Sequence, residues 1–163
     1  MKNKGLIFII IPCLISLLAE GCATPVSVAG NYTYKTECLG RELDGSQILK
    51  AWGSGKTRTD ASEMAMKNAV NDVLFKGIPD GVKGCDLRPV VSEVNARQKY
   101  AYFFNSFFAE KGEYLNYVEK RDKLIHEGDL KQTRSGMTAG IIVRVNVEKL
   151  KEKMAIEGIV KYY

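Results

Sequence analysis

Residues that could support catalysis are sparse in this chain of 163 residues. Its only histidine, His126, lies in a polar stretch, so a nucleophile–histidine–acid set is hard to assemble and a solvated histidine is the better interpretation. The run Gly53–Thr57 has only part of a phosphate-loop pattern, because Lys50 stands where G-x-x-x-x-G-K-[ST] requires glycine. Ser–Lys or paired-carboxylate chemistry stays open, since no pair has a recognisable context. We expect no enzyme, cofactor or metal site.

The cysteine with the clearest chemical context is Cys22. A basic start is followed by the apolar run Leu6–Leu18, about 13 residues, which is shorter than the ~20 that cross a bilayer as a helix. This pattern is typical of a secretory signal rather than a membrane span. The sequence LAEGC that ends at Cys22 resembles the lipobox of bacterial lipoproteins, in the looser form found in Bacteroidota. Ala19 stands where Leu is preferred and Glu20 where a small residue is.

The lipobox resemblance implies a signal peptide over residues 1–21, cleavage before Cys22 and lipidation of Cys22, including a palmitate-type acyl chain. An ordinary signal peptide cut near Ala23 or Ala29 is the alternative. Residues 22–30 would form a neutral tether, and residues 31–163 a single domain. The tether lacks the acidic residues found in many surface-exported lipoproteins, and Ala23 is not the Asp of inner-membrane retention. By that resemblance we expect the outer membrane, with the domain facing the periplasm.

Two cysteines remain once Cys13 is removed with the signal and Cys22 carries lipid. An even remainder in an oxidising compartment predicts a disulfide between Cys38 and Cys85. It would close a loop of about 47 residues and stabilise the fold by about 3–4 kcal/mol in the chain-entropy model. A redox or metal pair is the alternative, but the chain has no C-x-x-C.

The chain after the tether reads as alternating strands and helices. A strand over Tyr32–Cys38 and a return strand over Gln47–Trp52 flank Asp44 and Gly45, the signal for a tight hairpin turn. With a tight turn Cys38 would lie opposite Ala51, unless Gly40 forms a bulge that breaks this register.

The remaining patterns complete an order β-β-α-β-α-β-β-α. This order predicts an α+β fold: an antiparallel sheet of about 4–5 strands with helices mainly on one face. The segments are a helix from the N-cap Asp60 to about Lys76 with Gly77 at its end, a strand after Pro89, a helix over Ala96–Lys111, a strand over Ile141–Val147 and a helix over Glu148–Glu157 with Gly158 as its cap.

Four phenylalanines lie within one broad arc of the second helix: Phe103, Phe104, Phe107 and Phe108. One interpretation is that they form the core face of that helix. The other is that part of the arc is exposed and binds a partner or the membrane, because four Phe exceed what one contact line normally buries.

Several short motifs resemble a known family of small lipoprotein domains. A strand ending in Gly-x-Gly over Ala51–Lys56 leads into a helix with Ala every four residues over Asp60–Val70, and the ending Val143–Val147 with Gly158 fits as well. The pattern is similar to the outer-membrane lipoprotein domain described in Helicobacter and to the N-terminal domain of flagellar assembly protein T. The resemblance implies an α+β domain that binds or scaffolds envelope components.

Charge and composition narrow the classes of partner. Without residues 1–21 the chain keeps 22 Lys and Arg against 18 Asp and Glu, with no run of five basic residues, which argues against nucleic acid. We expect a lipid-anchored, non-enzymatic protein that binds or scaffolds an envelope protein or a peptidoglycan-associated partner. The alternative is a ligand-binding module for a glycan or a small apolar molecule, which a cleft lined by the Phe cluster would favour.

Overall fold

The computed structural model describes residues 34–121 and 129–161, which belong to one compact unit of residues 33–163. The predicted signal peptide, Cys22, the tether and His126 lie outside the described residues. The described residues form six strands and four helices in chain order: β1 Glu37–Arg41, β2 Gln47–Gly55, α1 Arg58–Phe75, β3 Asp80–Gly81, α2 Ala96–Lys99, α3 Ala101–Phe107, β4 Val118–Lys120, β5 Leu130–Thr133, β6 Gly136–Val145 and α4 Val147–Ile156. A 3-10 helix over Glu113–Tyr117 leads into β4.

The strands form one six-stranded sheet in the order β3-β1-β2-β6-β4, with β5 paired to β6 as well. The α+β prediction is confirmed, but a purely antiparallel sheet of 4–5 strands is wrong, because β1 and β3 run parallel. The cause is local. The Cys38–Cys85 disulfide and the hydrogen bond from the Val82 N–H to the Cys38 carbonyl, 2.9 Å, hold the segment after α1 alongside β1.

The two long strands at the centre, β2 and β6, place alternate side chains on one core face. Leu49 and Ala51 of β2 lie there beside Ile141 and Val143 of β6, and buried residues of α1, α3 and α4 join the same core. The predicted alanine stripe lets α1 pack very close to the sheet. A Cβ at Gly53 would lie only 2.2 Å from a backbone nitrogen of the helix.

The predicted hairpin turn at Asp44 and Gly45 is present between β1 and β2, but its register differs from the tight-turn expectation. Cys38 pairs with Leu49 rather than Ala51, because the register shifts between Cys38 and Gly40, at the bulge position. The N-cap of α1 is Thr57, not Asp60. Asp60 instead completes a capping box, in which its N–H donates to Thr57 Oγ1 (3.1 Å) and its carboxylate accepts from the Thr57 N–H (3.0 Å).

The region after Pro89 is not a strand. Its Val90 and Val91 N–H groups donate to the Val73 and Leu74 carbonyls at 3.1 and 2.9 Å, so this segment caps the end of α1 instead of joining the sheet. The single helix predicted over residues 96–111 is divided into α2 and α3 at Tyr100. The first error has a long-range cause, because hydrogen bonds to α1, absent from the local pattern, determine the backbone at Val90 and Val91.

Candidate partner-binding groove

The predicted disulfide between Cys38 and Cys85 is present, with an S–S distance of 2.03 Å and a Cα–Cα distance of 5.9 Å. Cys38 is 1% exposed and belongs to the core, whereas Cys85 lies at the edge of it. The bond therefore fastens the surface segment that begins at Cys85 to a buried strand. Its evident effect is to fix the position of the residues that follow.

The four phenylalanines of the predicted arc lie on or beside α3. Phe104, Phe107 and Phe108 are buried in the core, and Phe103 is half-buried and packed against it. Their rings contact one another in series, for example Phe107 and Phe108 edge to face with centroids 5.0 Å apart. The core interpretation of the arc thus fits three of the four side chains.

A concavity with a volume of about 570 Å³ lies next to the disulfide. We call it the disulfide groove. It is lined by residues from the loop after Cys85, from α4 and from the segment after α4: Asp86, Leu87, Arg88, Pro89, Val90, Glu148, Lys151, Val160 and Lys161.

The loop wall of the groove is fixed at both of its ends. At the start, Gly77 adopts the left-handed conformation (φ 74°), and the Ile78 N–H donates to the Asp86 carbonyl at 3.0 Å. At the end, Val90 caps α1 as described above. The loop passes so close to Gly77, just after the end of α1, that a Cβ on this residue would lie 2.1 Å from the Leu87 carbonyl oxygen. The wall is therefore preformed.

The opposite wall is α4 and the turn that follows it. Asn146 caps the helix by accepting from the Lys149 N–H at 3.0 Å. The predicted helix end at Gly158 is confirmed (φ 68°), and the Ile159 N–H donates to the Met154 carbonyl at 2.8 Å, as in a Schellman motif. Ile159 is buried, and Val160 and Lys161 then extend along the groove.

Four charged side chains cross-link the two walls. Asp86 accepts from Arg41 (3.1 Å) and lies 3.7 Å from the Lys151 ammonium. Glu148 lies 3.0 Å from Lys151 and 3.8 Å from Arg41. The two carboxylates and the two cations neutralise each other. Exposed pairs of this kind contribute little to stability individually, but together they hold the groove in one shape.

Two further cations at the groove have no counter-charge within the described part of the chain: Arg88 and Lys161. Both are exposed. Beside them lie the apolar surfaces of Val90, Val160 and Leu87, the last of which is 69% exposed. The groove therefore combines apolar walls with a net positive charge, which suits a carboxylate-bearing, partly apolar segment.

No pattern in the sequence indicates this groove. Arg88 and Lys161 are separated by 72 intervening positions, and neither belongs to a motif. The only available signal was Cys85, because a disulfide that ties a Pro-containing loop to a strand fixes the residues that follow it.

Comparisons with protein-family models, with curated proteins and with solved structures found no match. Within residues 34–121 and 129–161, no helix is both long and apolar enough to cross a bilayer. The same residues contain no group of three or more His, Cys, Asp or Glu side chains arranged to hold a metal ion. The resemblance to small lipoprotein domains and the lipidation of Cys22 therefore stay predictions.

Proposed function

We propose that this chain is a non-enzymatic lipoprotein of the cell envelope, anchored to the outer membrane through lipidated Cys22 with its domain in the periplasm. In this proposal the domain binds another envelope component, a protein or a peptidoglycan-associated partner, through the disulfide groove. The partner contributes an acidic, partly apolar segment.

The observation that carries the proposal is the pair of uncompensated cations, Arg88 and Lys161, beside apolar walls that are already in place. The disulfide and the ion pairs of Asp86 hold the loop wall, so binding costs little ordering of the groove itself. A carboxylate placed there would find charge partners that the chain does not provide.

The packing of the four phenylalanines favours a scaffold function rather than a binding module for an apolar ligand. Phe104 and Phe107 are each 2% exposed, so their rings fill the core rather than line a cavity for an apolar molecule. The disulfide groove is open and charged at its margins, which fits a segment of a macromolecule better than an enclosed small molecule.

The anchor is tested by Cys22→Ala in cells that produce the chain. The unsubstituted chain should fractionate with membranes, and the variant should not, because the acyl chains supply the attachment. The variant fractionating with membranes as fully as the parent would remove the lipid anchor from the proposal.

The groove is tested by placing a photo-crosslinking residue at Leu87, with a matched control at Tyr102, which is 94% exposed on α3. In native envelopes Leu87 should yield a discrete adduct with one partner segment, and that segment should be rich in Asp and Glu. Tyr102 should not yield it.

Charge reversal provides the second arm of this test. Arg88→Glu with Lys161→Glu should abolish the Leu87 adduct, whereas Lys111→Glu with Lys120→Glu should leave it, because those exposed lysines lie on other elements and change the net charge equally. An adduct that survives the first pair, or is lost equally with the second, would overturn the role of the groove.

A further inference from the structure

We propose that the end of the sheet opposite the disulfide groove rests on the anionic phospholipid surface of the membrane. This end, which we call the basic end, carries Lys56, Lys131 and Arg134. It is separate from the groove, and the inference uses the proposed function only for the lipid on Cys22.

The basic end lies where β2 ends and β6 begins. Gly55 pairs with Met137 there, and the β5–β6 hairpin turns at Arg134. Lys56 and Arg134 flank a shallow hollow of about 300 Å³, which Gln132 and Met137 also line. Two cations from separate strand ends thus project around one open surface.

Lys56 and Arg134 are exposed, and within the described part of the chain neither has an acidic partner. The other end of the same two strands is different. There Arg144 lies against the carboxylates of Glu42 (2.6 Å) and Asp44, and the Glu42 hydrogen bond raises the pKa of the guanidinium. One end of the long sheet therefore carries ion-paired charge, whereas Lys56 and Arg134 at the other end form no ion pair within the described residues.

The described chain begins beside the basic end. The Tyr34 ring stacks on Trp52 with centroids 4.3 Å apart, and the Lys131 ammonium lies 5.3 Å from the centre of the Tyr34 ring. Trp52 is three residues before Gly55, so the stack lies in the half of β2 nearer the basic end. Tyr34 is the first described residue, so the segment of the chain that leads back to Cys22 joins the described domain here.

The tether length and composition suit a contact with the bilayer. Eleven residues separate Cys22 from Tyr34, so even when fully extended this segment spans at most about 40 Å. Residues 23–33 carry no charge, so attraction to anionic headgroups must come from the domain. A lipid on Cys22 would hold the basic end near the bilayer, where its cations would meet the phosphates.

Exposed, dispersed cations on an open surface fit a bilayer, because a membrane presents many phosphates at once and needs no buried site. Each Lys or Arg near an anionic surface strengthens association about fivefold. Contact between the basic end and the membrane would also orient the domain relative to the bilayer. Gly45 in the turn before β2 packs against Glu148 of the groove wall, so the disulfide groove would point away from the bilayer by the length of β2, about 30 Å.

The test uses the chain from Ala23 onwards, which lacks the lipidated cysteine and retains the whole compact unit of residues 33–163. Circular dichroism first shows that each variant is folded. Partitioning is then measured onto vesicles of phosphatidylcholine alone and of phosphatidylcholine mixed with phosphatidylglycerol. We compare Lys56→Gln with Arg134→Gln against Lys111→Gln with Lys120→Gln, which removes the same charge elsewhere.

The unsubstituted chain should bind the phosphatidylglycerol vesicles and not the neutral ones, and added salt should weaken the binding. The Lys56 and Arg134 pair should lower the partition coefficient about 25-fold, and the control pair less than about twofold. Equal binding to both vesicle types, or equal losses in both variants, would overturn the inference. Because no anchor or partner is present in this assay, that failure would leave the proposed function standing.

Discussion

The two ends of the central sheet differ in how their charges are held. At the groove end a disulfide, a helix cap and four mutually paired charges fix two walls in one arrangement, and Arg88 and Lys161 are added to that rigid frame. At the basic end Lys56 and Arg134 extend from strand ends without acidic partners in the described part of the chain. The difference indicates that a rigid, preformed groove suits one specific partner, whereas exposed, unpaired cations suit an extended anionic surface.

The largest loss of stability should come from removal of the disulfide, which holds the groove end together. Replacing Cys38 and Cys85 together with Ala should lower the free energy of unfolding by about 3–4 kcal/mol, because the bond closes a long loop in the unfolded chain. Denaturant titration measures the change. Reductant should destabilise the parent by a similar amount and leave the variant unchanged. A loss below about 1 kcal/mol would mean that the groove end does not depend on its cross-link.

A smaller effect should follow from Gly77→Ala. Gly77 has a positive φ, and an added Cβ would meet the Leu87 carbonyl, so we expect a loss of about 3 kcal/mol and displacement of the groove loop. Gly158→Ala is the matched control. It has a similar φ but nothing within 4 Å of the added Cβ, so it should cost only about 1 kcal/mol. Equal losses of stability in the two variants, measured by thermal or chemical denaturation, would show that the close contact between Gly77 and the loop does not contribute to stability.

Lowering the pH should destabilise the folded protein through Asp44, which lies at the groove end of the sheet. The Ser46 backbone N–H, then the Ser46 hydroxyl and then Arg144 hold the pKa of this carboxyl below its usual 3.8. A lowered folded-state pKa stabilises the folded protein above about pH 3.8. This stabilisation is lost as the pH falls through the lower, folded-state pKa. Carboxyl NMR titration should place the midpoint below 3.8. A midpoint at or above 3.8 would contradict the contacts, and Asp44→Asn should remove this part of the acid response.

The smallest change in stability should follow from substitutions at the basic end. Lys56→Gln with Arg134→Gln should change the free energy of unfolding by less than about 0.5 kcal/mol, because neither side chain is buried or paired in the described structure. Denaturant titration beside the parent chain measures it. A loss above about 1 kcal/mol would show that these cations serve the fold, and the contrast between the two ends would no longer hold.

The sequence predicted the parts of this molecule that local patterns determine. The alanine stripe of α1, the turn at Asp44 and Gly45, the strand that became β6 and the cap at Gly158 all have signals within a few residues. The disulfide followed from counting cysteines. The failures lie where distant contacts decide: the segment at Val90 caps α1 instead of forming a strand, and β3 runs parallel to β1.

The candidate site was harder to predict than the fold. The disulfide groove brings together the Leu87 loop and the residues after Gly158, which are far apart in sequence and share no motif. The Phe arc had a visible pattern, yet the pattern alone could not distinguish core from surface. Only the packing of α3 against Phe75 and the 3-10 helix shows which rings are buried.

The most direct test of two separate surfaces is a crossed experiment on the same set of variants. Crosslinking from Leu87 and partitioning onto phosphatidylglycerol vesicles are both measured for the Arg88 and Lys161 charge reversal and for the Lys56 and Arg134 neutralisation. We expect the first variant to lose the crosslink and to retain at least half of the vesicle binding, and the second to do the reverse. Parallel loss of both activities in both variants would contradict a division of labour between the groove and the basic end.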